Sequence, residues 1–137
     1  MPRTRLDKLV QLREREEDDA AVDLARAQHT LHAARERLER AVEASRSDGR
    51  APGRAALWEL EENAHRRALQ LVRVAEGEVS SASVKREDAS ASYREARQDA
   101  ETVRRVADRK RAEILLELAR RERRSLDEVA TLRFNRR

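Results

Sequence analysis

The histidines are the residues of this chain whose type and spacing come closest to those of a metal site. His29 and His32 lie three positions apart, so one face of a helix would present both, whereas His65 is isolated. A structural or catalytic metal site needs at least a third ligand of suitable type. The neighbouring sequence offers none at a clear spacing, so we interpret the histidines as surface residues and expect no metal and no cofactor.

Other catalytic constellations are also missing from the sequence. The chain has no cysteine, no Gly-rich phosphate loop and no nucleophile with a neighbouring base. Carboxylates are abundant, but their interleaving with basic residues predicts solvated side chains whose pKa values have little reason to shift. We therefore expect a protein that is not an enzyme.

The elements that carry these side chains follow from composition. Charged residues make up 42% of the 137 residues and aromatic residues only 2%. So few large apolar side chains exclude a compact globular core and a closed apolar pocket. Two prolines and three glycines are too few for a disordered chain, and Ala, Leu, Glu and Arg are typical of long helices and coiled coils. The composition predicts an all-α fold.

Apolar residues never form a long uninterrupted run. None approaches the roughly 18 residues of a membrane-spanning helix, and residues 1–7 carry no apolar run of the kind found in a secretion signal. We expect a cytoplasmic protein.

Positive charge is concentrated at the C-terminal end. Residues 120–137 contain seven arginines and three carboxylates, so they carry the whole net charge of +4, and residues 1–119 sum to zero. A basic end suits nucleic acid, anionic lipid or an acidic protein surface. Balanced charge elsewhere is typical of a solvated helix face with i,i+4 pairs.

A first helix is predicted over about residues 5–46. Thr4 and Asp7 form a start signal, because a capping residue is followed three positions later by an acid. Mostly apolar and small residues then recur at alternating steps of three and four, the spacing of coiled-coil core positions. We call this line of positions the α1 seam, and it is weak near the N-terminus, where two of its positions are polar. It comprises Val10, Arg13, Glu17, Ala20, Leu24, Ala27, Leu31, Ala34, Leu38 and Ala41.

The strongest break lies at about residues 47–53, which hold two of the three glycines and one proline. Proline is excluded from a helix interior, so we interpret this segment as a turn. A second helix is predicted over about residues 54–124, with a kink or, less favoured, a second turn near Gly77. Ser125 with Glu128 reads as a new capping box, which predicts a separate basic tail over about 125–137.

The second seam runs through the whole second helix, again at steps of three or four. It comprises Leu57, Leu60, Ala64, Ala68, Leu71, Ala75, Val79, Ala82, Arg86, Ala89, Tyr93, Ala96, Ala100, Val103, Ala107, Lys110, Ile114 and Leu118.

The two predicted helices differ in length. At about 1.5 Å per residue they would measure about 63 Å and about 105 Å. With a turn centred near residue 50, Arg5 would lie opposite Glu95, and the stripe from Ala96 to Leu118 would have no internal partner. An unpartnered apolar stripe indicates an external partner. We therefore expect a long two-helix antiparallel coiled-coil hairpin with a projecting C-terminal helix, one elongated domain that is monomeric or weakly dimeric.

Two segments carry a resemblance to a known family. Residues 5–14 are similar to its opening pattern. Residues 122–137 are similar to its ending, in which Leu126-Asp127-Glu128-Val129-Ala130 precede a basic terminus containing Phe134. The chain resembles FliJ, the coiled-coil stalk protein of the bacterial flagellar export apparatus, and more distantly the YscO type of virulence type III secretion. Its richness in Arg and Ala leaves the choice between the two systems open.

The resemblance implies a non-catalytic stalk that binds the hexameric export ATPase and the cytosolic domain of the membrane export gate, FlhA, and that interacts with export chaperones. It implies a cytoplasmic protein, peripheral at the inner-membrane export apparatus. Carried to this sequence, the ATPase-facing end comprises Val103, Ala107, Ile114, Leu118, Arg120, Arg121, Arg123, Arg124, Leu126 and Arg133. The gate-facing patch comprises Leu57, Trp58, Leu60, Ala64, Ala68, Leu71 and Ala75.

Three alternatives stay open at this point. The residues from Leu57 to Tyr93 would also serve as the seam of the hairpin itself, and Trp58 would also serve to staple the turn. A second alternative for the whole protein is a generic cytosolic coiled-coil scaffold or dimeric adaptor. A third, less favoured, is a helical hairpin that binds nucleic acid or the ribosome through Arg104, Arg105, Arg109, Lys110, Arg111 and the C-terminal arginines.

Overall fold

Two long helices account for nearly all of the chain. The computed structural model describes residues 2–46 and 55–136, with the side chains of 57–136 in the second range. Helix α1 spans Asp7–Arg46 and helix α2 spans Ala55–Asn135. The described ranges contain no strand, so the predicted all-α fold class is confirmed. The predicted turn at 47–53 lies outside the described residues.

The start of α1 is fixed by Thr4 and Asp7, as the sequence predicts. The backbone N–H of Thr4 donates to Asp7 Oδ2 at 3.0 Å, and the Thr4 hydroxyl donates to Asp7 Oδ1 at 2.9 Å. The N–H of Asp7 donates in turn to the Thr4 carbonyl. These bonds satisfy groups at the helix start that have no intrahelical partner.

The described chain forms two compact units, each containing a segment of both helices. Unit 2 comprises residues 19–94. Its core is a small cluster in which Leu31 and Ala34 of α1 meet Ala82 of α2, with Val79 packed against them. Arg37 pairs with Glu78 at 3.3 Å. Residue numbers increase along α1 while those of the contacting residues on α2 decrease, so the two segments are antiparallel.

Unit 1 comprises residues 1–18 and 95–137. Ala100 and Ala107 of α2 are fully buried. Arg104 pairs with Glu14 and Glu17 of α1, and Arg111 pairs with Asp7. Here too the helix segments are antiparallel.

The predicted α1 seam is found in the structure. Every one of its ten positions is half-buried or buried, and Leu31 and Ala34 are the most buried of them. On α2 the buried positions are all alanines, namely Ala75, Ala82, Ala100 and Ala107. Small side chains let the helices approach closely, as where Leu31 of α1 packs against Ala82 of α2.

The predicted α2 seam is wrong over its first turns. Leu57, Leu60, Ala64 and Leu71 are exposed, whereas Ala68 and Ala75 of the same predicted seam are half-buried and buried, with Val72 half-buried between them. Apolar residues at steps of three and four define two neighbouring stripes on this helix, and packing against α1 decides which stripe is buried. Arg86 and Lys110 are exposed for the same reason.

The predicted helix end near Arg124 is also wrong, because α2 continues to Asn135. Ser125 is a weak helix former but no breaker. No Gly or Pro follows it, and the Thr131 hydroxyl donates to the Asp127 carbonyl at 2.8 Å within the helix. The helix likewise continues through Gly77 without a second turn.

Candidate functional site

The register of unit 1 decides which residues of α2 are available to a partner. Arg111 lies beside Asp7 in the first turn of α1, whereas the sequence placed that end of α1 near Glu95. The expectation that Val103 and Ala107 lie on a face without an internal partner is therefore wrong. Ala107 is fully buried and Val103 is half-buried. The physical reason is that Arg104 and Arg111 pair with carboxylates of α1, which brings this part of α2 beside the start of α1 within unit 1.

Among the described residues of unit 1, no hydrogen bond or ion pair joins α1 to α2 beyond Arg111. We call residues 112–135 the distal segment. Every residue from Leu115 to Arg136 is exposed, and Ile114 is half-buried. Leu118 is 46% and Leu126 is 68% exposed, and Ile114 and Leu118 line one shallow groove on this surface. The unpartnered apolar surface predicted for α2 is therefore present, but it begins near Ile114.

Apolar residues that the sequence did not single out as a site also lie on the distal segment. They are Leu115, Leu116, Val129, Leu132 and Phe134, all exposed. The regular spacing from Leu115 to Leu132 would have revealed Leu115, Val129 and Leu132, but a predicted helix end near Arg124 interrupted that pattern.

The predicted basic residues lie on the same segment. Arg120, Arg123, Arg124 and Arg133 are exposed, and Arg121 makes an exposed pair with Glu117 at 3.4 Å. Arg133 lies in the last turn of α2, where a cation also offsets the helix dipole. The distal segment thus presents apolar and cationic side chains around a single helix. Arg137 lies outside the described residues.

The predicted gate patch is split by burial. Leu57, Trp58 and Leu60 are each more than half exposed, as is Leu71. Ala64 is exposed as well, whereas Ala68 is half-buried and Ala75 is buried within unit 2. The available part of the patch is therefore an apolar stripe on the first five turns of α2, next to the packing seam.

Polar contacts hold the start of α1 on α2 in unit 1. Arg104 Nε donates to Glu14 and Arg104 Nη2 donates to Glu17, both at 3.0 Å. Arg13 pairs with Glu16 at 2.8 Å and approaches Asp99 at 4.0 Å. These contacts lie where the α1 seam carries Arg13 and Glu17, beside the fully buried Ala100 and Ala107 of α2, so this end of the pairing combines ion pairs with buried alanines.

The same contacts bear on the nucleic-acid alternative. Arg104 and Arg111 are directed at carboxylates of α1 rather than at solvent. Lys110 also pairs, with Glu113 at 3.4 Å. A phosphate-binding stripe needs these cations uncompensated, so the geometry disfavours that alternative.

The histidines show no metal-binding arrangement. His29 and His32 are exposed, and His32 lies 3.1 Å from Glu36 one turn later. Within residues 2–46 and 55–136, no group of three metal-capable side chains occurs. Among the same residues, neither helix has an apolar stretch sufficient to cross a membrane.

One comparison with known proteins identifies a family. The family model described as "Flagellar FliJ protein" matches residues 2–137, nearly the whole chain. No curated protein and no solved structure gives a significant match. The model that matches is the flagellar one.

Proposed function

Since this chain belongs to the FliJ family of flagellar export proteins, we propose that it is a non-catalytic stalk that couples the hexameric export ATPase to the export gate. It would act in the cytoplasm at the inner-membrane export apparatus, with export chaperones as further partners. Membership of the family favours this role over a generic scaffold.

The observation that supports ATPase binding is the distal segment, a single exposed helix with both apolar and cationic side chains. A lone helix has a diameter of about 10–12 Å with its side chains, so it suits the central hole of a protein ring. Leu118 and Leu126 would provide apolar contact area. Val103 and Ala107 drop out of this contact set, because both pack within unit 1.

The arginines of the distal segment would provide the polar part of the contact. A guanidinium presents several planar donors that match carboxylates and helix C-terminal carbonyls. Arg120, Arg123 and Arg124 are spaced i, i+3 and i+4 on α2, so they share one face of the helix and would meet one side of a ring together. Such contacts would set orientation and association rate more than affinity.

The gate would contact the exposed stripe formed by Leu57, Trp58, Leu60, Ala64 and Leu71. Apolar side chains that are half exposed on an otherwise charged helix are typical of a docking face. Ala68 and Ala75 would contribute only through their packing inside unit 2. Two docking faces at different ends of α2 would let one chain connect two partners.

The ATPase contact is tested by the double substitution Ile114→Asp and Leu118→Asp. We expect loss of co-purification with the hexameric export ATPase and unchanged far-UV circular dichroism. A matched control is Leu116→Asp, which changes an equally exposed leucine outside the Ile114–Leu118 groove. If the double variant loses helicity in parallel with binding, these residues are part of the fold and the proposal loses its support.

The gate contact is tested separately with Leu60→Asp, for which Val84→Asp is the control because Val84 is an exposed apolar residue elsewhere on α2 in unit 2. We expect Leu60→Asp to abolish binding to the gate's cytosolic domain while ATPase binding is retained. Equal gate binding by both variants would remove the stripe from the proposal.

A further inference from the structure

The distal segment carries a second pattern, which concerns pairing between copies of this chain. Core-type positions occur at Leu115, Leu118, Glu122, Ser125, Val129 and Leu132, all exposed. The steps between them are three, four, three, four and three, which is the coiled-coil spacing and reads the same in both directions. A helix with this pattern can pair with a reversed copy of itself.

We propose that two copies of this chain associate through their distal segments as an antiparallel coiled coil. In this register Leu115 lies opposite Leu132 of the second copy, and Leu118 lies opposite Val129. By symmetry each pair occurs twice. The arrangement places every apolar core residue of one copy against an apolar core residue of the other.

The polar centre of the pattern selects the antiparallel direction. In a parallel pair Glu122 would lie opposite Glu122 of the other copy, and two like charges at a core layer destabilise the pair. In the antiparallel pair Glu122 lies opposite Ser125, whose hydroxyl is a donor for the carboxylate. A polar core residue is a known determinant of orientation and register in coiled coils.

Flanking charges agree with this direction. Arg121 directly precedes the core residue Glu122, and Glu128 directly precedes the core residue Val129. Both are therefore g positions of the heptad, and in an antiparallel coiled coil the g positions of the two helices face each other across the interface. Arg121 of each copy would therefore meet Glu128 of the other, which makes two opposite-charge pairs. On the other flank Leu126 would pack against Ala119. Both flanking sets are exposed in the chain alone.

The interface is small, with four apolar core residues per copy, so the association is weak and depends on concentration. We expect a dissociation constant on the order of 10 µM, typical of small transient interfaces. The inference does not depend on the proposed function, since it is tested on the purified chain alone. It adds that a paired copy would hide Leu118 from another partner.

Sedimentation velocity between about 1 and 500 µM tests the association. Wild type should shift from the monomer mass of 15.8 kDa toward twice that value as concentration rises. The double variant Leu118→Asp and Leu132→Asp should stay monomeric throughout. Leu116→Asp, on a leucine outside the pattern, should dimerise like wild type. A monomeric wild type at 500 µM, or a leucine double variant that dimerises equally, overturns the proposal.

The direction is tested by cysteine crosslinking, which is clean because the chain has no cysteine. A mixture of the Leu115→Cys and Leu132→Cys variants should form a disulfide-linked dimer under mild oxidation, and neither variant alone should. Efficient crosslinking of Leu115→Cys with itself would show a parallel pair and contradict the proposal.

A charge exchange gives an independent readout. Arg121→Glu and Glu128→Arg should each weaken dimerisation about tenfold, and the double exchange should restore it. Failure of the double variant to recover, with helicity unchanged, would overturn the assigned register.

Discussion

The side chains of Arg111 and Asp7 join the two helices of unit 1, with Nη2 of Arg111 donating to Oδ1 of Asp7 at 2.6 Å. Asp7 also accepts two hydrogen bonds from Thr4, so one carboxylate both caps α1 and anchors it to α2. This contact fixes the register of unit 1. It therefore decides that the exposed part of α2 begins near Ile114 and not near Ala96.

The Asp7 contact predicts a dependence on acid pH. Hydrogen bonds from Thr4, and then the bond and charge of Arg111, lower the pKa of Asp7 below its ordinary value of 3.8. Because the folded pKa lies below the unfolded one, Asp7 stabilises the folded state above the unfolded pKa. That contribution disappears as pH falls through the lowered value. We expect the protection factors for amide hydrogen exchange in the first two turns of α1, which correct for the intrinsic pH dependence of exchange, to fall below about pH 4.

The matched variant for this experiment is Asp7→Asn. It keeps the side-chain shape but cannot titrate, so its exchange should already be faster at neutral pH and should respond less to acid. The difference between variant and wild type is the quantity to measure, because it isolates the contribution of Asp7. An identical pH response in both proteins would show that Asp7 does not hold this end of α1.

The core of unit 2 predicts a contrast between two leucines. Leu31 is 6% exposed and packs against the Ala34, Val79 and Ala82 cluster, whereas Leu71 is 63% exposed. Leu31→Ala should lower the free energy of unfolding by about 2 kcal/mol, near the low end for core leucines because two helices can relax around the cavity. Leu71→Ala should change it by less than about 0.5 kcal/mol. Urea unfolding followed by circular dichroism measures both, and equal effects would contradict the packing.

The basic end of α2 predicts a salt-dependent contribution to ATPase binding. Replacing Arg133, Arg136 and Arg137 with Ser should weaken binding by about tenfold at low ionic strength, if each exposed contact contributes a few tenths of a kcal/mol or more. The difference should shrink at high salt because exposed charges are screened. Binding titrations at two salt concentrations measure this.

Arg133 requires a control for stability, since a cation in the last helical turn also offsets the helix dipole. Melting of the triple variant should therefore be recorded beside wild type. Unchanged affinity at low salt with an intact helix would leave these arginines as a solubilising end.

Much of this fold was predictable because helix formation and the α1 seam depend on local sequence. Thr4 and Asp7 indicate the start of α1, and the steps of three and four from Val10 to Ala41 predict a single buried face. On α2, alanines and leucines are so frequent that several stripes satisfy the same spacing. Contact with α1 determines which of these stripes is buried. The residue type at a single position, such as Leu60 or Leu71, does not predict that contact.

The register and the end of α2 were missed for related reasons. A symmetric turn near residue 50 predicts Glu95 beside the start of α1, but within unit 1 Arg111 lies beside Asp7 there. Ser125 with Glu128 has the spacing of a capping box, yet the flanking residues support a continuous helix. The composition of the candidate ATPase end was therefore predicted better than its boundaries.

Site-specific photocrosslinking from position 126 tests the central claim most directly. A photoreactive amino acid in place of the exposed Leu126, in cells that contain the export ATPase, should yield a covalent adduct with that ATPase. The same substitution at Leu57, in the exposed stripe proposed to bind the gate, should yield an adduct with the gate instead. A folded, expressed chain whose position 126 crosslinks to other proteins but never to the ATPase would contradict the account.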